Sequence, residues 1–275
     1  YSLTADQRAA LQFIEEGDDQ LLNMMFHFEH MAADCLFYSW FKTKFNLKKL
    51  KKVYTRWQEN LYGKAWNALY MENHDHPRII NRYGSVKYRN ESAKSIANAY
   101  MLQCGTPFVY QGQELGMTNA NFGSMEDIRD VEAINYYKEL TDKGTAPGEA
   151  FRVIRAGTRD NGRTPVQWSS EKNAGFTTAD KPWFYINENY WKINAADQEE
   201  DPDSLLNFYR KLIKFRKKFN VVRDGIYKEY YEESNKIYCS ERVLGDEKLL
   251  VICSFSDKEM LFTAPDGFNL ADGEL

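Results

Sequence analysis

The residues Ala68-Leu69-Tyr70-Met71 form a short apolar run that breaks, after Glu72, into Asn73-His74-Asp75-His76-Pro77-Arg78. So brief a run, ending abruptly in His, Asp and Arg, is the pattern of a buried parallel strand that delivers polar side chains at its C-terminal end. Barrels and open α/β sheets build their active sites at such ends. The feature therefore predicts strand–helix repetition, with the chemistry gathered where strands stop.

The flanking sequence follows that order. Asn23-Met24-Met25-Phe26-His27-Phe28 is a compact apolar run ending in Glu29-His30. Asn46 is placed to cap a helix whose Leu47, Leu50, Tyr54, Trp57 and Leu61 share one face. Lys48, Lys49, Lys51 and Lys52 fall off that stripe and are expected on a solvated face. After the Asn73 segment, Ala93, Ile96, Ala97, Tyr100 and Met101 form a second stripe, with Gly105 as its stop. Thr106-Pro107-Phe108-Val109-Tyr110 is the next apolar run and ends in Gln111-Gly112-Gln113-Glu114. Two successive crossovers of this kind predict a parallel α/β arrangement.

Residues 112–202 break the rhythm. They hold Gly123, Gly144, Gly148, Gly157, Gly162 and Gly175 among scattered aromatics, and one helical piece around 127–140. An insertion of this length after a strand is commonly functional, and its aromatic density argues against a linker. Pro202-Asp203-Ser204 then opens a helix bearing Leu205, Phe208, Leu212 and Phe215 on one side. Beyond Asn220 the pattern alternates, and residues 236–243 and 248–255 flank Leu244-Gly245-Asp246-Glu247 as a hairpin. A boundary is expected near 219, giving domains 1–219 and 220–275, the second a small β unit that stops short of a closing strand.

Composition narrows the class. At 275 residues, 43% hydrophobic and 28% charged, the chain can bury a sizeable core. A net charge of -4 gives no reason to expect nucleic acid or an anionic membrane as partner. No apolar run approaches the roughly 18 residues of a membrane span. Cys35, Cys104, Cys239 and Cys253 show no metal or redox spacing and suit free thiols of a reducing, cytoplasmic compartment. The chain opens on Tyr1 with neither a start Met nor a signal peptide, which suggests a piece of something longer.

Four collinear segments resemble the α-amylase superfamily of glycoside hydrolases, in its oligo-1,6-glucosidase branch. They are Phe26-His27-Phe28-Glu29-His30-Met31, then Glu72 to Arg78, then Gly105 to Asn119, and last Arg159-Asp160-Asn161-Gly162-Arg163-Thr164-Pro165-Val166-Gln167-Trp168 with Asn173-Ala174-Gly175-Phe176. The resemblance implies the C-terminal part of a (β/α)8 barrel, about the last three βα units with a long loop after strand eight. A small, truncated antiparallel β domain follows. Trehalose-6-phosphate hydrolases and glucan 1,6-α-glucosidases are similar enough to remain alternatives. So do the non-catalytic members of the superfamily.

Retaining glycosidases need a nucleophilic carboxylate and an acid/base, passing through an oxocarbenium-like transition state. By the resemblance, Asp75 is a third acidic residue, one that holds the hydroxyls of the glucose at the cleavage point. His74 is expected to donate to the same sugar, and Arg163 to reach the leaving-group side. Arg78 is expected either at the sugar or paired with a neighbouring carboxylate, and Arg159 to brace the loop. His76 stands where close relatives usually have Gln, and could serve the next subsite. The pairs His74/His76 and His27/His30 also permit a metallohydrolase reading, which Pro77 disfavours because it ends the strand that would align the first pair. The resemblance implies no cofactor and no metal. Neither the family's nucleophile motif nor its acid/base is found. The expected partners are therefore a small oligosaccharide and the N-terminal half of the barrel, without which the chain is expected to be inactive.

Overall fold

A computed structural model describes residues 3–35, 40 and 42–269. Helix α1 (Ala5–Ile14) is closed at its start by a capping box between Thr4 and Gln7. Helix α2 (Leu47–Leu61) begins where Asn46 accepts the Lys49 N–H, and its five predicted stripe residues are all buried. One lysine differs from expectation. Lys51 is almost fully buried, because its ammonium bonds the carbonyls of Tyr231 and Ile237 and pairs with Glu229 at 3.5 Å. An amphipathic pattern marks this face as polar, yet a buried partner from a distant strand claims it.

Strands β1 (Ala68–Leu69) and β2 (Thr106–Pro107) pair in parallel, with Ala68 opposite Thr106 and Leu69 opposite Pro107. Met25 bridges Asn67, also in parallel, so three extended segments lie side by side in the predicted order. They are shorter than their apolar runs. Pro107 has no N–H to give a ladder, and the last bond runs from Phe108 N to Leu69 O. Gly105 permits the approach. Its φ is +135°, and a β-carbon there would stand 2.4 Å from Asn67 O.

Helices α3 (Ile79–Tyr83) and α4 (Arg89–Met101) connect β1 to β2. The 112–202 stretch holds more helix than the sequence suggested. Helix α5 (Val131–Asp142) starts later than expected because Asp130 caps it through the Glu132 N–H. Helices α6 (Pro147–Gly157), α7 (Asp160–Arg163) and α8 (Ala195–Glu200) follow. Pro147-Gly148 looks like a breaker, but Pro147 occupies the first turn, where its missing N–H costs nothing. Ala120, Phe122, Ile128, Ala133 and Ile154 give this region its own small core.

Helix α9 (Leu205–Lys218) is capped by Ser204 and leads through α10 (Val221–Asp224) into the antiparallel sheet β3 (Ile226–Tyr230), β4 (Ile237–Leu244) and β5 (Glu247–Ser254). Leu244 and Glu247 close the hairpin around Gly245, whose φ of 59° suits the first central position of a II′ turn. The main core runs without interruption from α2, α3, α4 and α9 to Tyr238, Val251 and Cys253 of the sheet. No helix among the described residues is long and apolar enough to cross a membrane.

Candidate active site

The turn after β1 is built from its own polar side chains. Asn73 Oδ1 accepts the Asp75 N–H at 2.8 Å, an Asx turn that lifts His74 and Asp75 outward. Their side chains are 68% and 45% exposed. Beneath them, Glu72 accepts the Ile79 N–H at 2.8 Å and an Arg78 N–H at 3.0 Å. Burial raises the Glu72 carboxyl above its usual range, against the pull of Arg78.

Arg78 is therefore not at the open face. Its guanidinium is fully buried, bonded to Glu72 and to Gln111 O at 2.8 Å, and stacked near the Tyr110 ring. It pins the base of the turn to the segment after β2. A buried carboxylate six residues away claims it, which is the pairing alternative considered from sequence.

Asp75 is the focus of the open face. Its Oδ1 lies 3.3 Å from Arg163 Nη2 and 3.7 Å from Arg159 Nη1, and its Oδ2 lies 3.4 Å from His74 Nε2. Arg163 is fixed by a second bond, Nε to His74 O at 2.8 Å. Arg159 is gripped by the buried Asp130 and lies 3.6 Å from Glu132. Burial alone would raise the Asp130 carboxyl, but the Arg159 hydrogen bonds hold it below its usual value. Trp40 Nε1 donates to Glu132 at 3.0 Å, which ties Trp40 to α5.

His76 stands apart from this group. It is half-buried, and its Nε2 has no hydrogen-bond partner among the described residues. Desolvation, helped by the charges of Arg82 and Lys42, pushes its ring down to about 3. It is neutral at physiological pH. The four histidines do not gather into one group: the His27 ring stacks on Trp57 at 3.9 Å and lies 4.9 Å from that of His30, while the His74 side chain is exposed. Among the described residues no three His, Cys, Asp or Glu side chains come together to hold a metal ion.

The structure thus joins His74, Asp75 and Arg163, separated by nearly 90 positions, and adds Asp130, Glu132 and Arg159. Of the added three, only Arg159 drew attention in the sequence. Asp130 carried a usable signal, an acidic cap directly before a helix. One carboxylate flanked by two guanidiniums and an imidazole can bind vicinal hydroxyls, but double displacement needs two further carboxyl groups.

A strand-end site beside a parallel arrangement, followed by an antiparallel sheet, is the architecture of a partial α/β barrel with an appended β-sheet. The alpha-amylase catalytic domain model matches residues 3–225, and the chain belongs to this family. It is 46% identical over 248 residues to an oligo-1,6-glucosidase of Parageobacillus thermoglucosidasius, covering 89% of this chain and 44% of that protein. It is 41% identical over 255 residues to a trehalose-6-phosphate hydrolase of Bacillus subtilis, covering 90% and 45%. The crystal structure of the Bacillus licheniformis trehalose-6-phosphate hydrolase superposes with a TM-score of 0.90 at 41% identity, covering 96% of this chain and 48% of that one. The chain spans about half the length of the relatives it matches. The partial barrel with an antiparallel sheet agrees with these structures.

Proposed function

We propose that this chain supplies the sugar-gripping wall of an α-glucosidase-type glycosidase acting on small oligosaccharides with retention. The observation that supports it most is Asp75, half-exposed between Arg163, Arg159 and His74 at the end of a parallel strand. A carboxylate so placed accepts two sugar hydroxyls, and bonds that shorten as the ring flattens toward the oxocarbenium state favour that state over bound substrate. His74 donates to the same sugar, and Arg163 orients Asp75 from the side of the long loop. No cofactor is required by this chemistry.

The nucleophile and acid/base come from strand–helix units outside this chain, which contributes about the last three βα units, residues 1–219, and a small β domain, residues 220–275. Phe26, Phe28 and Phe108 support that reading. They are 44%, 44% and 41% exposed, and the Phe26 ring centroid lies 4.7 Å from that of Phe108 and 5.2 Å from that of Tyr70, an apolar layer suited to the inside of a closed barrel. The four free cysteines suit a cytoplasmic setting.

The test is co-expression with a polypeptide carrying the preceding units, followed by hydrolysis of p-nitrophenyl α-glucoside. Activity of the pair, lost on Asp75→Ala, is the expected outcome; hydrolysis by this chain alone overturns the division of labour. Isomaltose, maltose and trehalose 6-phosphate offered to the same pair separate the oligo-1,6-glucosidase specificity from its alternatives.

A further inference from the structure

We propose that Asp130 is a positioning residue, holding the Arg159 guanidinium beside Asp75 while keeping it from closing onto that carboxylate. The proposal rests on the reading of Asp75 as the sugar-holding group. Arg159 has three carboxylates within reach. Asp130 takes its Nε at 3.1 and 3.0 Å and its Nη2 as well. Glu132 lies 3.6 Å from Nη2, and Asp75 lies 3.7 Å from Nη1. Asp130 prevails through distance and burial together. Its side chain has no exposure, whereas those of Glu132 and Asp75 are 49% and 45% exposed, and attraction falls with both separation and solvent. Oδ1 of Asp75 already faces Arg163. A second guanidinium in full contact would take the lone pairs that a sugar hydroxyl needs.

Asp130 is fixed from several sides. Its carboxylate accepts the Glu132 N–H as a helix cap, the Arg159 N–H at 3.1 Å and the Thr158 hydroxyl at 3.4 Å. Its own N–H and that of Arg129 go to Asp160 Oδ2 at 2.9 and 2.6 Å. Asp160 opens α7, the helix that ends in Arg163. Two carboxylates therefore cross-tie the starts of α5 and α7: one anchors Arg159, and the other registers the helix that presents Arg163. Glu132 accepts from Trp40 through its other oxygen, Oε1.

Asn at position 130 can keep the capping Oδ1, but it removes the charge and puts an NH2 donor where Oδ2 accepts the Arg159 N–H and the Thr158 hydroxyl. In the reconstituted enzyme, Asp130→Asn is expected to lower kcat on p-nitrophenyl α-glucoside about 10- to 100-fold, with a smaller change in KM. Added to Arg159→Met it should lower kcat little further, since the catalytic effect passes through that side chain, while the loss of the Thr158 and backbone contacts is read separately in stability. Losses that simply add, or an unchanged kcat, overturn the proposal. A crystal structure of the Asp130→Asn chain gives a readout free of activity: Arg159 is expected on Asp75, and finding it in its original place overturns the proposal. Asp130→Ser, which retains a capping hydroxyl, serves if the Asn variant does not fold. Absence of hydrolysis by the unsubstituted pair would count against the glycosidase reading instead, and the crystallographic result still decides the role of Asp130.

Discussion

Gly162 packs against His76 with no room for a side chain. A β-carbon there would stand 2.6 Å from the His76 carbonyl oxygen and 3.2 Å from that of Asn73. The long loop thus meets the site turn backbone to backbone, and Tyr110 holds the contact by donating to Gly162 O at 3.0 Å. Arg163, the next residue, reaches Asp75 because of it.

Gly162→Ala should therefore push α7 off the turn. Overpacking of this kind costs about 1–3 kcal/mol, readable as a lower urea midpoint. The sharper expectation is loss of the Arg163–Asp75 contact, checked by crystallography of the variant. An unmoved Arg163 would show that the turn yields instead.

The Glu72–Arg78 pair should behave as a buried ion pair. Glu72→Gln leaves a fully buried guanidinium without its carboxylate, and such losses cost about 3–5 kcal/mol. The double variant Glu72→Gln, Arg78→Met should recover part of that cost, because no charge remains stranded. Denaturant unfolding of the three variants measures the coupling; simple additivity would contradict it.

Acid should weaken the fold before the carboxylates titrate. Burial pushes His27 and His76 down to about 3 from their usual 6.5, and His30 shifts the same way. Between pH 6.5 and 3 the unfolded chain holds more protons on these rings, so stability rises with pH across that window. Each ring contributes up to about 1.4 kcal/mol per pH unit there. Thermal melts from pH 7 to 4 should show a steep fall, made shallower by His27→Phe. Equal slopes would remove His27 from the account.

Lys51 should matter to the antiparallel sheet rather than to the site. Its ammonium holds the carbonyl of Tyr231, a residue at φ 58°, and pairs with Glu229 of β3. Lys51→Met would strand that carboxylate and cost about 3 kcal/mol. Faster amide exchange in Ile226–Tyr230, with β1 unaffected, is the expected signature.

Much of the frame was legible along the chain. Asn46 and Ser204 declared helix starts by local capping chemistry, Gly245 declared a tight hairpin, and the apolar run before Asn73 declared a strand ending in a site. Strand lengths were less legible, because Pro107 and the turn after Leu69 end pairing that the apolar runs alone would extend. Apart from α5, the helices between 112 and 202 were hidden by glycines and prolines whose permissive positions depend on neighbours.

The sequence by itself determined the family motifs, the strand-end placement of Asp75 and the amphipathic helices, since propensity, capping and periodicity act over a few residues. Tertiary structure alone decided what the cations do. Lys51 and Arg78 are polar by pattern but buried by partners, Glu229 from a distant strand and Glu72 beside Gln111. Arg159 is drawn between Asp130, Glu132 and Asp75, which meet only when α5, α7 and the β1 turn pack together. The reason is electrostatic: a charge is settled by which opposite charges stand within a few ångströms and how much water lies between them, and neither quantity is written in the local order of residues.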